Sequence, residues 1–145
     1  MNWQGSIYMP LSYGDIPPYR EEIIQLGKKY FGNNFHPIVD FISLSEYQQL
    51  INNCGVVWMN HIRQQAAGNI LAALYMGKAV ILHPASNLYK TFKEWNVKLY
   101  TNFNEFNEID IKEESFEMNK KIIETHITYP HSLKCVRHLY TDRSL

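Results

Sequence analysis

The residues best placed to do chemistry fall in one stretch, HIRQQAAGNILAALYMGKAVIL, residues 61–82. Arg63 offers a permanent cation whose planar fork matches phosphate oxygens. Gln64 and Gln65 can donate or accept hydrogen bonds, as sugar hydroxyls require. Gly68 and Asn69 open an apolar helix pattern. Its buried side is Ile70, Leu71, Ala73 and Leu74, and it ends at Gly77. The unpaired N–H groups of a helix's first turn form a site for a phosphate. Ala66, Ala67, Gly68, Ala72 and Ala73 are small enough to let backbone approach sheet or ligand closely. The bland alternative assigns Asn69 to helix capping and the small residues to packing.

Other constellations carry less. His131, Cys135 and His138 stand at i, i+4 and i+7, one face of a helix pattern that could in principle hold zinc. A fourth ligand is not evident, and Val136 and Leu139 suggest a docking helix, so no metal is expected. Asp15 is either a base in an assembled enzyme or the cap of the helix that begins at residue 16 or 17; the cap is favoured. Glu105, Glu108, Asp110, Glu113 and Glu114 read as a solvated connection. Cys54 and Cys135 sit in apolar patterns and read as buried free thiols, which suits a cytosolic setting.

The elements that must position these residues alternate between strand and helix. Residues 5–11 are a short apolar run. Residues 17–31, PPYREEIIQLGKKYF, form a helix pattern with prolines in its first turn, lysines in its last, and Ile23, Leu26 and Tyr30 as its apolar face. Gly32 and Asn33 end it. Residues 38–42 read as a strand. Ser43 or Ser45 caps the helix that follows, whose apolar positions are Tyr47, Leu50 and Ile51. The runs at 56–59, 79–82 and 97–100 complete the strands. A capped helix fills 86–95, and helices occupy the chain from about 113 to its end, with a break at 129–130.

Short all-apolar strands separated by helices predict an α/β fold: a Rossmann-like, doubly wound parallel sheet of about five strands with helices on both faces. Residues 1–145 are expected to form one such domain, with the helices of 113–145 packed along one side. Loop 60–67 follows the strand VVWM and so belongs at the carboxyl edge, where open parallel sheets bind ligands. The formal net charge is zero, which argues against nucleic-acid binding by phosphate neutralisation. MNWQGSIYMP has no signal-peptide character, and no apolar run is long enough to span a bilayer, so any membrane association is peripheral.

Three pieces of the chain, NHIRQQAAGNILAALYMGKAVIL, PLSYGDIPPYREEIIQLGKKYFG and FISLSEYQQLI, resemble glycosyltransferase family 56. These are the 4-acetamido-4,6-dideoxygalactose transferases of enterobacterial common antigen synthesis. The resemblance covers about residues 7–103, and RQQAAGN and PLSYGD are its most specific parts. It implies a two-domain GT-B architecture, of which this chain matches the carboxyl-terminal, donor-binding half. The implied donor is a dTDP-sugar. The acceptor is a lipid-linked saccharide held by an amino-terminal domain for which this chain has no room. The chain is then a fragment of a longer enzyme or a truncated product, inactive alone, at the inner face of the cytoplasmic membrane. No cofactor is implied.

Carried over by position, Ser12, Tyr13 and Gly14 face the diphosphate. Gln64, Gln65, Gly68 and Asn69 hold the diphosphate or sugar, with Arg63 nearby. Phe41, Ile42 and Leu44 stand where the nucleobase sits, although strand and helix packing explains them equally well. The chain departs from the common GT-B pattern at ILAALYMG, which lacks the glutamate that grips the donor ribose; Asn69 or a glutamine would take its place. The competing reading is a non-catalytic nucleotide-binding or regulatory α/β module. A receiver of the flavodoxin type needs acidic residues clustered at strand ends, and none are seen there.

Overall fold

The computed structural model describes residues 5–12, 17–63, 65–102 and 113–127. They form a mixed α/β protein with short parallel strands. The chain divides into two compact units, Met1–Tyr47 and Gln48–Leu145. No helix among the described residues is long and apolar enough to cross a membrane.

The first unit is a strand–helix–strand element: β1 (Ile7–Pro10), α1 (Pro17–Phe31), a 3₁₀ turn at Gly32–Asn34, and β2 (Phe35–Ile38). β1 and β2 are parallel, with Ile7 opposite Phe35 and Pro10 opposite Ile38. The cross-strand pair Tyr8 and His36 stacks at 4.9 Å between ring centroids. The second strand is thus 35–38 and not 38–42. Pro37 lacks an N–H donor, which a strand in a two-stranded sheet tolerates. Residues 39–43 leave the sheet, and Phe41 there is 84% exposed.

The buried face of α1 also differs from the sequence expectation. Leu26 is exposed and Tyr30 is 66% exposed, whereas Gly27 is buried and Ile23, Ile24 and Phe31 are half-buried. Gly27 turns inward because the ring of Phe35 fills the space a side chain would need. A Cβ there would lie within 2.6 Å of three Phe35 ring carbons. Close packing of an aromatic ring on a helix backbone thus selects among the possible apolar faces.

α2 (Leu44–Asn53) begins in a capping box. Ser43 N–H donates to Glu46 Oε2 at 2.7 Å, and Glu46 N–H donates to Ser43 Oγ at 3.2 Å. The Ser43 hydrogen bonds hold the Glu46 carboxyl below its usual range. Of the two serines that could cap, Ser43 is the one used.

The second unit holds β3 (Val56–Met59), α3 (Ala67–Tyr75), β4 (Ala79–Leu82), α4 (Asn87–Glu94) and α5 (Glu113–Ile127). β3 and β4 are parallel, from Val56 opposite Ala79 to Met59 opposite Leu82. Every residue of β4 is buried. Ile70, Ala73 and Leu74 of α3, Phe92 of α4 and Ile123 of α5 share the core. The αL residues Gly77 and Asn96 close α3 and α4. In each case the following residue donates back five positions, Lys78 to the Ala73 carbonyl and Val97 to the Phe92 carbonyl, both at 2.9 Å.

The described strands form two two-stranded parallel sheets in place of a single five-stranded one. Segment 97–100 makes one parallel bridge, Tyr100 with Ile81. The reason lies in α5. Asn119, 2% exposed, accepts from Lys98 N–H at 2.8 Å and donates from Nδ2 to the Lys98 carbonyl at 3.0 Å. Its carboxamide occupies both backbone groups that a second rung would use.

Two substitutions test this packing. Gly to Ala inside a helix ordinarily stabilises by up to about 1 kcal/mol. Gly27→Ala should instead lower stability by about 1–3 kcal/mol, as overpacking does, and chemical denaturation would show it; a gain would refute the Phe35 contact. Asn119→Leu keeps the branched outline but strands two backbone groups, and should cost about 2–4 kcal/mol. A loss below about 0.5 kcal/mol, typical of neutral surface changes, would contradict the role given to the amide.

Candidate functional site

The carboxyl edge of the second unit is built from three parallel segments. β3 ends at Met59, β4 at Leu82, and Leu82 N–H donates to the Tyr100 carbonyl at 2.9 Å. Residues 60–66 leave β3 and enter α3, so Arg63, Gln65, Gly68 and Asn69 lie at this edge. Gln64 lies outside the described residues.

The start of α3 is unlike those of α2 and α4. Ser43 caps α2, and Ser86 Oγ accepts from Tyr89 N–H at 3.1 Å to cap α4. The N-cap of α3 is Ala66, which has no side-chain oxygen to offer and makes no side-chain cap. Ala66 is also left-handed, with φ 53° and ψ 29°, a conformation that costs an L-residue about 1–2 kcal/mol. The first helical bond is Ile70 N–H to the Ala66 carbonyl at 3.0 Å. The N–H groups of Ala67, Gly68 and Asn69 therefore have no acceptor within the helix. Asn69 stands in the third helical position and is not the cap, which removes that alternative.

Arg63 and Gln65 are exposed, and Asn69 is half-buried. None of the three side chains bonds another described residue. Gly68 is exposed, and a Cβ added to it would meet nothing within 4 Å. The stretch of chain that builds the site is one-sided in charge. Residues 47–93 contain no Asp or Glu, and they carry Arg63, Lys78, Lys90 and Lys93. Lys78 is committed at the other end of the strands, where its Nζ donates to the Asn52 carbonyl at 2.6 Å. Cys54 is a half-buried free thiol. Burial pushes its pKa up, and the nearby Lys78 charge pulls the other way.

The remaining candidates fall in the first unit. Ser12 is half-buried and follows β1, where Leu11 N–H donates to the Ile38 carbonyl at 2.8 Å. Tyr13, Gly14 and Asp15 lie outside the described residues. Phe41 and Leu44 are 84% and 72% exposed, and Ile42 is half-buried. Strand and helix packing therefore explains Ile42 at most. His131, Cys135, His138, Glu105, Glu108 and Asp110 also lie outside the described residues, as do the side chains of Glu113 and Glu114. No group of three metal-ligating side chains occurs among the described residues.

His61 opens the loop after Asn60, within the stretch singled out in the sequence. One further residue at this edge carries no pattern in the sequence: His83 directly follows β4, and its position after a buried strand is the available signal. Among the described residues the arrangement offers backbone donors, the uncommitted Arg63 and uncommitted amides, which suits a small oxyanion with hydroxyls beside it. No protein-family model, curated protein or solved structure matches the chain.

The left-handed N-cap gives a direct test. Ala66→Gly removes the Cβ penalty and places a better N-cap residue, so stability should rise by about 1 kcal/mol. A thermal melt that falls would show that the Ala66 side chain is held by packing.

Proposed function

We propose that this chain is the donor-binding half of a GT-B glycosyltransferase of the family 56 type, which holds a dTDP-linked 4-acetamido-dideoxy sugar for transfer to a lipid-linked acceptor. The fold proposed for it is a Rossmann-like sheet of about five strands. The parallel pairing of both described strand pairs supports that reading. In this architecture the acceptor belongs to another domain, and the enzyme works at the membrane surface.

One observation carries the proposal: the first turn of α3 is uncapped, and Arg63, Gln65 and Asn69 stand beside it uncommitted. The N–H groups of Gly68 and Asn69 would bind the diphosphate, where the helix terminus adds partial positive charge. Arg63 would neutralise the charge that grows on the departing dTDP, which replaces a metal ion in that role. Gln65 and Asn69 would reach the sugar hydroxyls. The absence of acid from residues 47–93 keeps repulsion away from the diphosphate.

Calorimetry with dTDP and a dTDP-sugar tests the reading. Arg63→Ala should weaken both ligands, since a hydrogen bond to a charged group is worth about 1.5–3 kcal/mol. A Cβ at Gly68 meets nothing within 4 Å, so the effect of Gly68→Val should fall on the ligand. Gln65→Ala should weaken the dTDP-sugar more than dTDP. If the wild type binds neither ligand, or all three variants match it, the proposal fails.

A further inference from the structure

His83 stands where the three parallel segments end. It is the residue after Leu82, whose register partner is Met59. One rung further, adjacent strands about 4.8 Å apart set His83 beside Asn60, the start of the loop that carries Arg63 and Gln65. On the other side, the Leu82 bond to the Tyr100 carbonyl brings residues 101–102 alongside. β4 is the middle segment, so His83 occupies the centre of the edge.

The turn after β4 fixes the ring. Ser86 N–H donates to the His83 carbonyl at 2.9 Å, and Ala85 N–H donates to His83 Nδ1 at 3.1 Å. A ring nitrogen that accepts carries no proton, so the neutral imidazole holds its N–H at Nε2. That donor has no partner among the described residues. The ring is half-buried, and its orientation is set by the backbone of its own turn before any ligand arrives. A donor held in this way needs little reorganisation to bind an anion.

We propose that His83 is a ligand-binding residue, which donates Nε2–H to an oxygen of the diphosphate that docks at the start of α3. The assignment rests on the diphosphate reading above and adds a second grip, from β4, to the one that follows β3. Nδ1 serves the fold, and Nε2 serves the ligand.

Two amide variants separate these roles. Asn in place of His83 keeps an acceptor near Nδ1 for Ala85 N–H but cannot reach the ligand. Gln sets its amide nitrogen near the place of Nε2. In titrations of the full chain with dTDP and with inorganic pyrophosphate, His83→Asn should bind at least about tenfold more weakly, whereas His83→Gln should stay within about threefold of the wild type. The melting temperature of His83→Asn should be unchanged. Long-range proton–nitrogen spectra should show the Nε2–H tautomer, with the Nε2 signal shifting as pyrophosphate is added. His83→Asn binding like the wild type overturns the assignment. So does loss of binding in both variants together with a lowered melt. If Arg63→Ala weakens dTDP and His83→Asn does not, the diphosphate reading survives and His83 falls. If only His83→Asn weakens it, His83 stands and the assignment to residues 63–69 falls. A wild type that binds neither probe overturns both.

Discussion

The second unit depends on one buried carboxamide. Asn119 offers Lys98 an acceptor and a donor at once, as a neighbouring strand would. Buried backbone groups left without partners are costly, and an amide side chain is among the few groups able to satisfy both. The pairing fixes how α5 meets segment 97–100, and the rest follows from it. Trp95 and His126 stack in parallel at 4.3 Å, and Lys120 Nζ lies 5.4 Å from the centre of the Tyr75 ring. α5 thereby packs along α3. With Ile70, Ala73 and Leu74 buried beneath it, α3 is held along its length. Its first turn can then stay uncapped without fraying, because tertiary packing, more than the cap, holds the helix.

How much of this is legible in the sequence depends on whether the signal is periodic or local. β4 is AVIL, an all-apolar run between a glycine turn and a helix cap, and it is buried on both faces as such runs are. Ser86, Gly32 and Gly77 mark helix ends through their own chemistry, and the structure uses all three. The face of α1 was misread because Ile23, Ile24, Leu26, Tyr30 and Phe31 support more than one apolar stripe. Hydrophobicity cannot choose among these stripes; the shape of Phe35 does, by requiring a glycine opposite. The strand at 35–38 is hard to see in the sequence because Pro37 has no N–H to give a ladder, while Val39 and Ile42 beyond it are β-branched. The strand expected at 97–100 is reduced to one bridge because Asn119, 21 residues downstream of Lys98, takes the backbone groups that a strand would use.

The candidate site shows the same division. The stretch 63–69 is visible because cation, amides and small residues adjoin a helix pattern. His83 carries no pattern of its own. Its tautomer follows from a hydrogen bond with a residue two positions on, a property of the turn alone. Ala66 is similarly silent, since nothing in an alanine announces a left-handed backbone. Strain of this kind persists only when the surroundings over-determine it, and here α3 is pinned by its buried face.

The charge distribution limits what such an edge can hold. Over the whole sequence positive and negative charges balance, so a long polyanion would find no continuous basic track. Of the four cations in residues 47–93, Lys78 is occupied at the far end of the strands and Arg63 alone stands in the loop that enters α3. Affinity would then have to come from backbone N–H groups and a fixed imidazole donor. These are short-range and directional, in contrast to a field of lysines. Such donors reward an anion whose oxygens match their spacing and give little to one that merely carries charge. On the proposed reading that anion is a compact diphosphate, with the attached sugar facing Gln65 and Asn69.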